Sequence, residues 1–259
     1  MKKIIAMLLV LTMVLAFAGC AKTEEAPETA ATEAATEAPT EAATEAPTEA
    51  EVEAEPEVAV MTHADYAAAE LDTEVVIETY VQGHQSWWDN KITVYCQSED
   101  GAYFLYELQC SEEDAAKLVP GTKIRVNGFK GEWAGEVEVM DGTFEFVKGD
   151  SFIAEAFDAT ALLGTDELIA HQNEFVSFKG MTVEAVEYKN GEPGDDIYVT
   201  LSSNGASYSF CVEVYLTGPD TEVYQTVGTL AAGDVVDVEG FLYWYEGPNP
   251  HITAISLAG

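Results

Sequence analysis

The chain reads as an all-β protein built twice from one five-stranded unit, and three observations predict this. Apolar and polar residues alternate with period two from Asp72 onward, and the same order of strands and turns occurs twice. In each copy the turn residues of the central hairpin would also bring apolar positions opposite apolar positions.

Ahead of the strands lies a different kind of sequence. Lys2-Lys3 and an apolar run from Ile4 to Ala18 precede Phe17-Ala18-Gly19-Cys20, the layout of an export signal with small residues before the cut. The run is shorter than the roughly 20 residues needed to cross a bilayer. It resembles a bacterial lipobox, with Phe17 in place of the usual aliphatic residue. The resemblance implies cleavage before Cys20, which becomes the lipidated first residue; an ordinary cleaved secretory peptide is the alternative. From Thr23 to about Val60 come near-repeats of Thr-Glu-Ala-Ala and Thr-Glu-Ala-Pro, with glutamate as the only charged residue and no aromatic ring. Such a segment cannot bury enough apolar surface to offset chain entropy, and reads as an acidic, disordered tether. A flexible coil of about 40 residues spans on the order of 35 Å.

In the first copy a strand around Val75, Ile77 and Val81 leads to a hairpin in which Ile92, Val94 and Cys96 alternate with polar residues. A three-residue loop with Gly101 in the left-handed region would pair Cys96 with Phe104, Val94 with Tyr106 and Ile92 with Leu108. Ser111 to Leu118 carries a short helical signal, with Ser111 and Asp114 placed to cap it. A strand containing Ile124 and Val126, between Gly121 and Gly128, and a last strand over Val137 to Phe146 complete the unit.

The second copy repeats the order. Val176 and Phe178 mark its first strand. Asn204-Gly205, the pair that favours a two-residue hairpin, would place Leu201 opposite Tyr208, Val199 opposite Phe210 and Ile197 opposite Val212, with Val214 continuing the strand. A helical signal near Asp220 to Val227, a strand with Val236 and Val238 between Gly233 and Gly240, and a last strand from Ile252 to Leu257 complete it. The two copies are joined by Ser151 to Gln172, with a short helix expected near Asp166 to His171.

Strand, strand, strand, short helix, strand, strand resembles the OB-fold, a five-stranded Greek-key barrel with a helix between its third and fourth strands. The chain is more narrowly similar to the exported tandem OB-fold lipoproteins of bacteria. The resulting division is a signal peptide over 1–19, Cys20 and a linker over 20–60, a first barrel over 61–150, a connector over 151–172 and a second barrel over 173–259.

Formal net charge is −36, and from Met61 onward 35 acidic side chains face 8 basic ones, Arg125 being the single arginine. Neutralising phosphates requires Lys and Arg, so this balance argues against nucleic acid as a partner. Membrane attachment would come from the lipid on Cys20, on the extracytoplasmic face of the cell membrane.

OB-fold binding commonly uses the loops joining strands one to two and four to five. Here these loops hold Trp87 and Trp88, then Trp133, then Tyr243, Trp244 and Tyr245, and they contain every tryptophan of the chain. Such rings can stack on a sugar or anchor a protein partner; alternatively they plug barrel ends or pack the two units together. These six residues are the ligand-binding candidates. The four histidines lack zinc spacing, and Glu112-Glu113-Asp114 and Asp195-Asp196 read as solvated surface rather than calcium loops. Cys96 and Cys110 read as core residues too far apart to form a disulfide, and Cys211 as outward-facing. Sequence fingerprints of metalloproteases, nucleotide-binding loops and hydrolase elbows are absent. The expectation is a non-catalytic binding lipoprotein with no metal or cofactor, taking a glycan or an extracytoplasmic protein. The alternatives are an exported hydrolase or enzyme subunit using carboxylates or a divalent ion, and a spacer or oligomerisation module.

Overall fold

The computed structural model describes residues 59–258. The signal segment, Cys20 and nearly all of the acidic tether lie outside the described residues. The described residues form two five-stranded barrels of the same topology, as the alternation and the repeat predict.

The first barrel opens with a short helix that the strand pattern does not announce, α1 (His63–Ala68), capped by Thr62, whose side chain accepts from Asp65 N. Tyr66 of α1 is buried in the barrel core against Tyr103, with ring centroids 5.1 Å apart. Strands β1 (Glu74–His84), β2 (Lys91–Ser98) and β3 (Gly101–Gln109) lead to α2 (Glu112–Ala115), and β4 (Lys123–Trp133) and β5 (Glu136–Phe146) come after it. Ser111 caps α2 by accepting from Asp114 N. The ring closes in the order β1-β2-β3-β5-β4, with β4 returning to β1. Val75, Ile77, Val94, Leu105, Ile124, Val126 and Val139 fill it.

The connector adds β6 (Phe157–Asp158), two short 3-10 turns (Thr160–Leu162 and Leu168–His171), and Leu168 as a buried plug of the second core. The second barrel consists of β7 (Phe175–Tyr188), β8 (Ile197–Ser203), β9 (Ala206–Val212), α3 (Val214–Thr217), α4 (Glu222–Val227), β10 (Val235–Phe241) and β11 (His251–Leu257). Its order is β7-β8-β9-β11-β10, closed by pairing of β10 with β7. Asn204 and Gly205 both take positive φ, 53° and 79°, and the hairpin register Leu201–Tyr208, Val199–Phe210, Ile197–Val212 is the expected one. Val214 does not extend that strand: Glu213 accepts from Leu216 N and starts α3 there instead. At matching places in the two barrels, Gly128 and Gly240 sit at register shifts where the partner strand passes close. A Cβ on Gly240 would fall on the His251 carbonyl oxygen, and one on Gly128 would lie 2.8 Å from that of Met140.

The first hairpin differs from expectation. Ser98 pairs with Gly101 across a two-residue turn, so Cys96 faces Tyr103 and Val94 faces Leu105 rather than Phe104 and Tyr106. A bulge at Glu107, with φ 47°, takes up the extra residue and restores Ile92 opposite Leu108. Because strand side chains alternate, this one-residue slip sends Tyr103 and Leu105 into the core and turns Phe104 and Tyr106 outward.

The barrels are joined by a packed interface. Tyr95 and Phe104 from the outside of the first barrel and Phe241 from the second form a buried cluster, with Tyr95 stacked on Phe241 at 4.5 Å. Polar bonds ring it: Tyr95 Oη with His251 Nδ1 at 2.7 Å, Phe175 N to Gln97 Oε1 at 2.7 Å, Trp244 N to Glu136 Oε2 at 2.7 Å, and Asn173 Nδ2 to the Val137 carbonyl at 3.1 Å.

Candidate functional site

The interface does not fill the whole space between the barrels. On one side it leaves a cleft of about 780 Å³, within the range typical of ligand pockets. The first barrel contributes Phe104 and Tyr106 from β3, Trp133 from the end of β4 and Glu138 from β5. The second contributes Tyr198 from β8, Glu213 after β9, and Tyr243 and Tyr245 from the loop between β10 and β11.

Three of the six aromatic candidates therefore meet here. Trp133 and Tyr245, exposed at 56% and 50%, lie 5.2 Å apart across the joint. Tyr243 is half-buried between Phe104, 5.1 Å away, and His251, on which it stacks at 4.3 Å. The other three go elsewhere. Trp244 turns inward onto the core of the second barrel. Trp87 packs on the first core and donates its indole N–H to the Cys110 carbonyl at 2.8 Å. Trp88 is 80% exposed and, with Trp87 and Tyr215, lines a smaller cleft of about 440 Å³. The two clefts share Gln85 and Tyr106, so their aromatic walls are continuous.

The electrostatics of the larger cleft are one-sided. Its walls hold Glu132, Glu138, Asp196 and Glu213, and neither a lysine nor an arginine. Glu138 is only 4% exposed, and its carboxyl makes no hydrogen bond or ion pair among the described residues. Burial without a counter-charge pushes it up to about 7. Glu213 is also pushed up to about 7, by burial first and then by the charge of Asp196. Behind them Glu136 is fully buried and raised to about 8 by desolvation, with its Oε1 unpartnered. His251 is held down to about 3 by burial and is neutral at ordinary pH, so it supplies no compensating charge.

Several expectations change here. Asp196 is not solvated surface: it is buried, accepting from Val214 N at 3.0 Å and from Lys189 Nζ at 2.8 Å. Cys211 faces away from its own barrel core, as its register requires, but lies buried at the base of the cleft, where desolvation raises its thiol well above the usual range. Cys96 and Cys110 are buried and free, with Cys110 N bonded to the Asn90 carbonyl, the strand position that keeps it far from Cys96. Phe104, Tyr106, Tyr198, Glu138 and Glu213 are site residues that the loop-based reasoning misses. The available signal is the unbroken apolar run Ala102-Tyr103-Phe104-Leu105-Tyr106, which marks a strand covered on both faces.

No family model and no curated protein matches the chain. Among solved structures it is similar to a murine DNA-binding protein bound with double-stranded DNA, at 10% identity over 71% of this chain and 96% of that one, with a TM-score of 0.36. It is similar to the p204 HINb domain, at 12% identity over 73% of this chain and 100% of that one, with a TM-score of 0.34. It also matches the asparaginyl-tRNA synthetase of Pyrococcus horikoshii, at 17% identity over 32% of this chain, with a TM-score of 0.27; the match spans 19% of the synthetase. These comparisons correct one expectation. The expectation that nucleic acid is not a partner stands against the murine protein, which is bound with double-stranded DNA. Net charge is an average over the surface, whereas binding is decided by local groups.

Proposed function

We propose that the chain is a non-catalytic binding module, anchored through a lipid on Cys20 at the extracytoplasmic face of the membrane and extended from it by the acidic tether. Its ligand sits in the cleft between the two OB-fold barrels. The anchor and location rest on the likeness of Phe17-Ala18-Gly19-Cys20 to a lipobox.

The observation that carries the binding role is the convergence of Trp133, Tyr243 and Tyr245 with Phe104, Tyr106 and Tyr198 in one cleft. Four of these rings, Trp133, Tyr245, Tyr106 and Tyr198, are left substantially in water, although aromatic burial is among the largest single gains a folding chain makes. Ring faces beside Gln85, Ser209 and Asn249 match a glycan, which presents C–H faces to rings and hydroxyls to amides.

The test uses the full chain, immobilised, against a glycan array, envelope proteins and duplex DNA. Replacing Trp133 and Tyr245 together with alanine is expected to reduce glycan retention by about tenfold or more, while Trp88→Ala has a smaller effect. Unchanged retention in the double variant would remove the cleft from the account, and retention of duplex DNA or of an envelope protein in place of glycans would reassign its ligand. Turnover of a retained glycan by the intact chain would favour the hydrolase reading.

A further inference from the structure

We propose that the ligand carries a protonated amine, as a glycan with free amino groups does, and that Glu138 is its counter-ion with the Trp133–Tyr245 ring pair as the stacking platform. The inference rests on the cleft being the binding site and names the chemistry it selects.

The first support is an unmet electrostatic demand. Glu138 is 4% exposed, lines the cleft, and has no donor to its carboxyl among the described residues. A buried carboxyl in that position is costly when charged, and a cation entering the cleft offsets that cost by Coulomb attraction in a poorly screened site. The lining of the cleft supplies no such cation: it holds no lysine or arginine, and His251 is neutral. Lys189, whose charge acts on Glu213, is engaged with Asp196 and Asp195.

The second support is the kind of surface around the carboxyl. Aromatic faces attract cations through the ring quadrupole, and the phenol of Tyr243 is raised by burial first and then by the charges of Glu136, Glu138 and, more weakly, Glu213, which places the ring among these carboxylates. An amine entering here therefore meets ring faces and carboxylates together, and both favour the charged form. A neutral ligand of the same shape gains the rings but leaves Glu138 uncompensated.

A sugar fits better than a basic peptide. Extended peptides are commonly held by adding a strand to a free sheet edge. Here β3, β8 and β9, which bring Phe104, Tyr106, Tyr198, Ser209 and Cys211 to the cleft, are each already paired on both sides within closed rings. Gln85, Asn249 and Ser209 supply polar contacts: Gln85 Nε2 donates to Tyr95 Oη and Asn249 Nδ2 to Ser209, which leaves the two amide oxygens as acceptors suited to hydroxyl groups.

A matched pair of probes isolates the charge: chitosan oligosaccharide, with free amines, and chitin oligosaccharide of the same length, N-acetylated and neutral. Each is titrated into the full chain by calorimetry at physiological ionic strength, alongside Glu138→Gln, Trp133→Ala and Glu192→Gln. The last removes one negative charge from an exposed loop and controls for non-specific attraction of a cation to an acidic protein. The expected result is chitosan binding about tenfold tighter than chitin. Glu138→Gln should abolish that preference, Trp133→Ala should weaken both probes, and Glu192→Gln should change neither. Equal binding of the two probes, both weakened by Trp133→Ala, would overturn the amine and leave the cleft standing. Chitosan binding that responds equally to Glu138→Gln and Glu192→Gln would be surface attraction only and would also overturn it. Absence of binding by both probes overturns the amino-sugar ligand, and oligolysine binding that depends on Glu138 would reassign the site to a basic peptide. Glu138→Gln conserves shape and removes a buried charge, and Trp133 is at the surface, so both variants retain the fold.

Discussion

Glu136→Gln should flatten the dependence of stability on pH. Glu136 is fully buried at the joint between the barrels, where its Oε2 accepts from Trp244 N and Gln172 Nε2 and its Oε1 has no partner. Desolvation raises its pKa from 4.5 to about 8 in the folded chain. Below pH 4.5 the carboxyl is protonated in both folded and unfolded states and contributes no pH dependence. Between 4.5 and 8 the unfolded chain has released the proton and the folded one keeps it, so stability falls as pH rises, by about 1.4 kcal/mol per unit. Above 8 both states are ionised and the loss is complete. Across pH 5 to 8 this one residue should therefore cost about 4 kcal/mol. Glutamine keeps an acceptor for Trp244 and has nothing to ionise. Urea denaturation followed by tryptophan fluorescence at pH 5, 6, 7 and 8 should give curves for wild type and variant that diverge by that amount, the wild type losing stability faster. For a folded region of about 200 residues a divergence of 4 kcal/mol corresponds to roughly 8–16 °C in Tm. Parallel curves would refute the reasoning, because they would mean that Glu136 ionises as easily folded as unfolded.

Phe241→Ala removes the ring stacked on Tyr95 and should cost about 3–5 kcal/mol, read as a lower urea midpoint; a change below about 1 kcal/mol would show that the barrels do not depend on this contact. Gly240→Ala places a methyl against the His251 carbonyl, so it should destabilise by about 1–3 kcal/mol or prevent folding, while Gly205→Ala, with nothing within 4 Å, should cost only about 1 kcal/mol through its positive φ. Cys96, Cys110 and Cys211 should resist an aqueous thiol reagent at pH 8 in the native chain and react on unfolding, because each is buried with its thiol pKa raised by desolvation. Rapid native labelling of Cys211, read by mass, would contradict its place beneath the cleft.

Much of the second barrel is legible because its signals are local. Asn204-Gly205 sets a two-residue turn, the turn sets the register, and the register places Val199, Leu201 and Phe210 inside. In the first barrel the same logic slips by one residue. Gly101 reads as the left-handed residue of a three-residue loop, whereas the strand absorbs its extra residue in a bulge at Glu107, several positions from the turn. That slip decides the site: it sends Phe104 to the joint and Tyr106 to the cleft. Helix α1 carries no announcement either, since a six-residue helix shows one buried face residue, Tyr66, and no period.

The amino-acid pattern by itself determined an all-β fold, its duplication, the order of strands around each helix, and the inward places of Cys96 and the valines, because alternation and turn chemistry act over a few residues. Only the tertiary structure decided that the barrels pack on each other, that three of the six candidate rings gather while Trp87 and Trp244 become packing, and that Glu136, Glu138, Asp196 and Glu213 lie out of water. Those outcomes come from surfaces far apart in the chain, such as Tyr95 with Phe241 and Glu136 with Trp244. A carboxylate on the outward face of a strand reads as solvated until a second domain covers it.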